Sequence, residues 1–396
     1  MTVSSAIAEG AGEAASRLAS ARALGLMIEA AAAADEAAQE IAAEVVEAIS
    51  DAGLYAIMVP REAGGGEAHP VEQIDVIAEL SYWDGSTGWY AHAVMTGGGV
   101  AGAFLGARAI EAIFPSGRYT HCAGQVAPTG KAEREGDHLR VSGRFQFATG
   151  SPRAQWLVGG YLLQEAGEQV TDENGQPVML WAAVPRDKVN FLGNWDVLGL
   201  RGTGSVDFEV PEQLIHEDFS FNIANPEPQR GGPLYRMGFM TFSCISHGAY
   251  ALGAGRRMLD EWRKYAQAKE RAPGMKMHEM QTFQRDFAQG HADLRAAEAY
   301  MKQAYSDLFD AAVAGTVTRA LQLEAKVSAS HAYAAAMRIA NAAYAAAATT
   351  GLRDGSALQR FFRDITGGNA HVLTGEMSWI ECGRVLGDVD GADIYF

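Results

Sequence analysis

The chain has 396 residues, of which 48% are hydrophobic and 20% charged, and it carries a formal net charge of -16. That length predicts two or three packed units, and that charge repels phosphate backbones and anionic membrane surfaces, which argues against nucleic acid and membrane as partners. Cys122, Cys244 and Cys382 lie too far apart for a zinc site or a disulfide framework, so no metal and a reduced, cytoplasmic setting are expected.

The first residues lack the basic start and apolar run of a secretory signal. From about 4 to 115 the pattern is helical. In "ADEAAQEIAAEVVEAISDAGLYAIM" Ile41, Val45, Ile49 and Leu54 fall near a 3.6-residue period and Gly53 marks the stop. After the loop "VPREAGGG" a second helix is predicted over "VEQIDVIAELSYWDGSTGWYAHAV", with Gly85, Ser86 and Gly88 small where something large must come close. Between roughly 119 and 222 the texture changes to short runs. "HLRVSGRFQFATG", "QWLVGGYLL", "VMLWAAVP", "VNFLGNW" and "SVDFEVP" read as strands separated by Gly, Pro, Asn and Asp turns, as in a small β-barrel or sandwich. From about 235 to 388 the chain is helical again, with Ala-rich tracts such as "ASHAYAAAMRIANAAYAAAATTG" that suit a closely packed bundle. The predicted organisation is an N-terminal helical domain (1–118), a central β-barrel domain (119–224) and a C-terminal helical bundle (225–396).

Five motifs occur along this order: "DGSTGW" at 84–89, "APTG" at 127–130, "VSGRFQFATG" at 141–150, "WDVLGLRGTGS" at 195–205 and "RDITGGNAH" at 363–371. Together with the helix, strand and helix texture, they make the chain resemble the acyl-CoA dehydrogenase fold, an α+β multidomain architecture. Within that superfamily it is similar to the two-component flavin-dependent monooxygenases that hydroxylate aromatic compounds. The resemblance implies reduced FMN or FAD as cofactor, O2 as co-substrate, a flavin C4a-hydroperoxide as oxygenating species, a small aromatic or indole-like substrate and a homotetramer. No Gly-x-Gly-x-x-Gly stretch opens a helix after a strand, so a separate NAD(P)H-dependent flavin reductase is the expected partner.

The resemblance also assigns residues. Thr149 matches a hydroxyl near flavin N5, beside Gly150, which has no side chain to obstruct the ring. Phe147 and Thr149 could equally be alternating strand positions. Trp195 would wall the ring and Arg201 meet an anionic oxygen. Gln125, Pro128 and Thr129 match a loop touching the flavin from the neighbouring strand. Arg271, at the end of a helix in "YAQAKERAPG", matches an arginine that reaches the flavin phosphates of an adjacent subunit, with a helix C-terminal interaction as the alternative. The two places where the dehydrogenases carry their glutamate base fall at Val372 and near Ser243, neither an acid. Glu376, four residues late, reads as a helix-surface or capping residue. Desaturation of an acyl-CoA by a relocated base, and oxygenation at nitrogen or sulfur, stand as alternatives.

His371 follows a Gly-Gly pair. Without the resemblance it is a loop histidine bonded to its neighbours. With it, the glycines let the backbone approach the flavin, and an imidazole of near-neutral pKa donates to the oxygen adduct or removes a substrate proton. Trp89, His92, Phe242, Ser243, His247 and Trp379 are the candidate substrate-pocket residues, with interior packing the alternative for each histidine.

Overall fold

The computed structural model describes residues 3–115 and 119–391. The N-terminal region holds α1 (Val3–Ala23), α2 (Gly25–Ala38), α3 (Ala43–Asp51), α4 (Pro70–Trp83), α5 (Gly85–Phe104) and α6 (Ala107–Ile113). The run from 34 to 58 is not one helix. Gln39 takes a left-handed φ of 58° and ends α2, so Ile41 precedes α3 and Leu54 stands in a short 3-10 turn after Gly53, whose φ of 69° ends α3 as expected. The second predicted helix is likewise two. Asp84 is extended and its carboxylate accepts the amide of Thr87 at 2.8 Å, which caps α5 and turns the chain. The small residues there do admit neighbours: a Cβ on Gly85 would stand 2.5 Å from Asp364 Oδ2, and one on Gly88 2.3 Å from Ser81 Oγ.

All five predicted strand segments form strands. The sheet contains β1 (Cys122–Gly124), β2 (Gly130–Glu135), β3 (His138–Phe145), β4 (Trp156–Glu165), β5 (Glu168–Gln169), β6 (Met179–Pro185), β7 (Asn190–Phe191), β8 (Phe208–His216) and β9 (Ser220–Asn222). Its hydrogen-bonded order is β7-β8-β3-β2-β4-β6-β9, with β1 and β5 also on β4. The strands β1 and β2 run parallel to β4 and the other pairs are antiparallel. One face is filled by a core of its own around Phe145, Tyr161 and Phe208.

The C-terminal region is α7 (Phe239–Ala268), a ribbon of β10 (Glu270–Ala272) and β11 (Met275–Lys276), then α8 (Gln281–Ala314), α9 (Arg319–Ala347), α10 (Ala357–Gly368) and α11 (Glu376–Leu386). Small residues set its spacing. A Cβ on Gly253 of α7 would lie 2.1 Å from the carbonyl of Ala78 in α4, and one on Gly248 2.9 Å from Ala329 Cα in α9, so α7 packs backbone to backbone on both. Helices from both ends of the chain thereby share one core, which includes Tyr55, Trp89, Tyr250, Tyr333 and Phe361. Among the described residues no helix is long and apolar enough to cross a membrane.

Candidate active site

The loop 195–205 lies between the sheet and the helices, and its backbone is fixed from three directions. Leu200, at a left-handed φ of 57°, donates its amide to Asp364 Oδ1 at 2.6 Å. Gly202 donates its amide to Ser86 Oγ at 3.2 Å. Arg363 donates to the carbonyl of Leu198 at 2.9 Å and pairs with Glu36 of α2, and Gln39 donates to the carbonyl of Trp195. Within this frame Trp195 donates Nε1 to the carbonyl of Arg201 at 3.0 Å, and Arg201 donates Nε to the carbonyl of Val197 at 2.8 Å. The indole therefore presents its faces, not its N–H.

Thr149 ends a chain of hydroxyls. Ser205 donates to Thr149 Oγ1 at 2.8 Å, so Thr203, 2.7 Å from Ser205 Oγ and 2.8 Å from the carbonyl of Leu200, gives its single proton to one of those two. The proton of Thr149 is left for an acceptor outside the chain. Next to it Gly150, at φ 78°, sits where a Cβ would be 3.1 Å from Tyr90. Phe147 is 66% exposed at φ 57°, and its ring meets Trp195 edge-on at 6.3 Å. An exposed aromatic held in a left-handed conformation, beside an indole face and a free hydroxyl proton, fits a flat, apolar ring with a polar edge. Residues of the neighbouring loop are less available: Gln125 accepts the amide of Ala127 at 2.7 Å, Thr129 donates to the carbonyl of Arg144 at 2.9 Å, and Pro128 adds only its ring.

Three predicted pocket residues and the predicted catalytic histidine come together elsewhere. Trp89 and His92 of α5, His247 of α7 and His371 after α10 form one ring cluster. Centroids are 4.6 Å apart for Trp89 and His92, 5.4 Å for Trp89 and His247, 4.6 Å for His92 and His247, and 4.2 Å for His247 and His371. Tyr250 closes one side, 5.0 Å from Trp89. Burial, with the neighbouring imidazoles, pushes His92 and His371 well below the usual histidine range, and burial takes His247 to about 4. All three rings are neutral near pH 7, which corrects the expectation that His371 titrates near neutrality.

The Gly-Gly pair has a different role from the one expected. Gly367 and Gly368 are the last turn of α10, and a Cβ on Gly368 would stand 1.9 Å from Tyr333 Oη and 2.7 Å from Trp89 Cζ3. They let α10 close on the bundle, and His371 is positioned by the tight turn that follows. Phe242 is not in the cluster. It packs against Tyr235 at 5.7 Å and against Gly99, because its position on α7 faces away from His247. Ser243 donates to the carbonyl of Phe239 at 3.1 Å and contributes its own carbonyl to His247. Trp379 is 39% exposed on α11 and makes no ring contact among the described residues. Arg271 stands in the β10 strand, not at the end of α7, and donates to the carbonyl of Ala346 in the last turn of α9 at 2.6 Å. Val372 is exposed and Glu376 opens α11 at the surface.

Sequence reading passed over Ser205 and Thr203, although both stand in the 195–205 motif, and Tyr250, one turn beyond His247. It also passed over two buried acids. Asp364 is pushed up to about 7 by burial and by Asp84, and Asp84 is itself raised by burial in spite of Arg360, whose Nε is 3.6 Å away.

Comparison with known proteins places these features. The N-terminal domain model of acyl-CoA dehydrogenase matches residues 17–105 and its C-terminal domain model matches 245–376. The indole-3-acetate monooxygenase of Pseudomonas putida is 27% identical over 86% of each chain. The flavin-dependent monooxygenase oxygenase subunit HsaA of Rhodococcus jostii is 26% identical over 82% of this chain and 86% of its own. The solved structure of XiaF from Streptomyces sp., in complex with FADH2 and glycerol, superposes with a TM-score of 0.87 at 19% identity, covering 99% of both chains. With matching models on both sides of the sheet and the same fold over nearly its whole length, the chain belongs to the acyl-CoA dehydrogenase superfamily.

Proposed function

We propose that the protein is the oxygenase component of a two-component flavin monooxygenase that hydroxylates a small aromatic substrate. The observation that carries this is the ring cluster: three neutral imidazoles and an indole stand together, and the two positions where a dehydrogenase holds its glutamate are Ser243 and the exposed Val372. Imidazoles held below their usual pKa are weak bases, so the cluster is a poor replacement for that glutamate. It can hold a polar group by hydrogen bonds and keep water out.

Thr149, Trp195 and Phe147 would hold the flavin ring, with Arg201, Gln125, Pro128, Thr129 and Gly150 shaping the slot. Arg271 would reach the phosphates of a flavin in a neighbouring copy of a homotetramer. Reduced flavin supplies the chemistry that activates O2. Thr149 would donate a hydrogen bond to the ring, Trp195 would pack against it, and His371 would donate from Nε2. Trp89 and the imidazoles pack the substrate. Reducing equivalents come from a separate flavin reductase, whose product must enter and leave.

Rapid mixing of the protein, charged with photoreduced FMN or FAD, with O2 and a small aromatic is expected to yield a hydroxylated product in step with flavin oxidation. Oxidised flavin that survives gel filtration and is bleached by an acyl-CoA thioester would overturn the reading in favour of a dehydrogenase.

A further inference from the structure

The backbone fixes opposite tautomers on two stacked imidazoles. At His371 the amide of Leu373 points at Nδ1 from 3.3 Å. An amide can only donate, so Nδ1 is the acceptor and the neutral ring carries its proton on Nε2. At His247 the nearest partner of Nδ1 is the carbonyl of Ser243 at 3.1 Å, with Ser246 Oγ at 3.5 Å. A carbonyl can only accept, so here Nδ1 carries the proton and Nε2 the lone pair. The rings lie 4.2 Å apart and are tilted by 33°. Neither Nε2 has a hydrogen-bond partner among the described residues. His92 differs, since both its nitrogens are buried without a partner.

Burial reinforces this division by keeping both rings in the neutral form, in which a nitrogen is a donor or an acceptor but not both. His371 as folded can give a hydrogen bond from Nε2 and cannot take one there. His247 can take one and cannot give one. Trp89 stands edge-on to both rings, at 5.9 Å from His371 and 5.4 Å from His247.

We infer that His247 is the specificity-determining acceptor for the substrate: it takes the hydrogen bond of a ring N–H or a phenolic O–H, and the substrate class is an aromatic bearing such a protic group. This rests on the monooxygenase reading above, but it assigns the acceptor to a residue other than His371 and limits His371 to donation. A site built to receive an N–H or O–H rejects the methylated analogue, because the acceptor is then left buried and unpaired.

The test uses flavin-free protein, by calorimetric titration with two matched pairs, indole against 1-methylindole and phenol against anisole. Wild-type protein is expected to favour the protic member of each pair by about 10-fold or more. His247→Asn keeps a donor for the Ser243 carbonyl and removes the acceptor at the ε position, so its discrimination should fall to within about 2-fold. His247→Gln restores an acceptor near that position and should recover part of it.

Long-range proton–nitrogen spectra of imidazole-labelled protein should show Nδ1–H for His247 and Nε2–H for His371. Undiminished discrimination in a folded His247→Asn protein overturns the assignment. So does an Nε2–H tautomer at His247, or a wild type that binds methylated and protic probes equally. If any of these occurs while reduced flavin and O2 still give hydroxylated product, only the His247 assignment falls. If the wild type makes no product from any aromatic, the monooxygenase reading falls too.

Discussion

The 195–205 loop and the imidazole cluster differ in what their hydrogen bonds leave free. In the loop, Trp195 Nε1 and Arg201 Nε donate to backbone carbonyls, so the indole offers its faces, and beside it Thr149 accepts from Ser205 and keeps its own hydroxyl proton. In the cluster, the backbone occupies Nδ1 of His247 and of His371 and leaves both Nε2 edges open. A face recognises shape and tolerates whatever flat ring fills it, whereas an edge with a fixed tautomer recognises one kind of atom. The comparison predicts that cofactor affinity belongs to the loop and coupling and substrate choice to the cluster.

The largest expected effect breaks the cluster. His371→Ala should still bind reduced flavin within about 2-fold of wild type and still consume O2, but release hydrogen peroxide in place of product. Product formed per O2 consumed should fall on the order of 100-fold, the low end for a positioned proton donor. Parallel loss of flavin binding and stability would make His371 a packing residue and erase the contrast.

A smaller effect sharpens the other side. Thr149→Val removes the free hydroxyl proton and leaves the volume nearly unchanged. Loss of one neutral hydrogen bond, about 0.5–1.5 kcal/mol, should weaken reduced-flavin binding roughly 2- to 10-fold with coupling preserved. Fluorescence or absorbance titration under anaerobic conditions reads the affinity, and a drop in coupling at unchanged affinity would contradict the division.

Much of this arrangement was legible in the sequence, and the losses have physical causes. Period and turn residues located five strand segments and the change of texture from helix to sheet to helix, but not β1, β2, β5 or β9, which are short or largely charged. They missed the breaks at Gln39 and Asp84: left-handed Gln39 is tied to the distant carbonyl of Trp195, whereas extended Asp84 is a local cap on Thr87 that apolar periodicity does not register. Trp89, His92 and His247, read as pocket residues, and His371, read as catalytic, are brought together by the fold, Trp89 and His92 by helical spacing on one face. Phe242 was not separable from them by spacing, because which side of α7 meets α5 depends on Gly248 and Gly253 contacting other helices. The titration of His371 was misjudged for a related reason: its low pKa comes from burial and then from His247, which only the packed bundle supplies.

The smallest expected effect concerns the acids that support the loop. Asp364 holds the amide of Leu200 with Oδ1, while its Oδ2 is buried with no partner, and burial with neighbouring Asp84 raises its pKa to about 7. Asp35, under the same loop at Gly202, is raised to about 6, mainly by burial. A carboxyl whose folded pKa lies above its unfolded value makes the folded state hold protons more tightly, so stability is greatest below the unfolded value and falls as pH rises toward the folded one. For Asp364 that window runs from about 4 to about 7. Asp364→Asn keeps an oxygen for the Leu200 amide and removes the buried charge, so thermal melts should show it more stable than wild type at pH 8 by about 2 °C or more, with the gain shrinking below pH 5. A gain that is the same at both pH values, or a loss at pH 8, would mean that Asp364 is ionised and solvated in the fold, and that the loop's frame does not depend on a neutral acid.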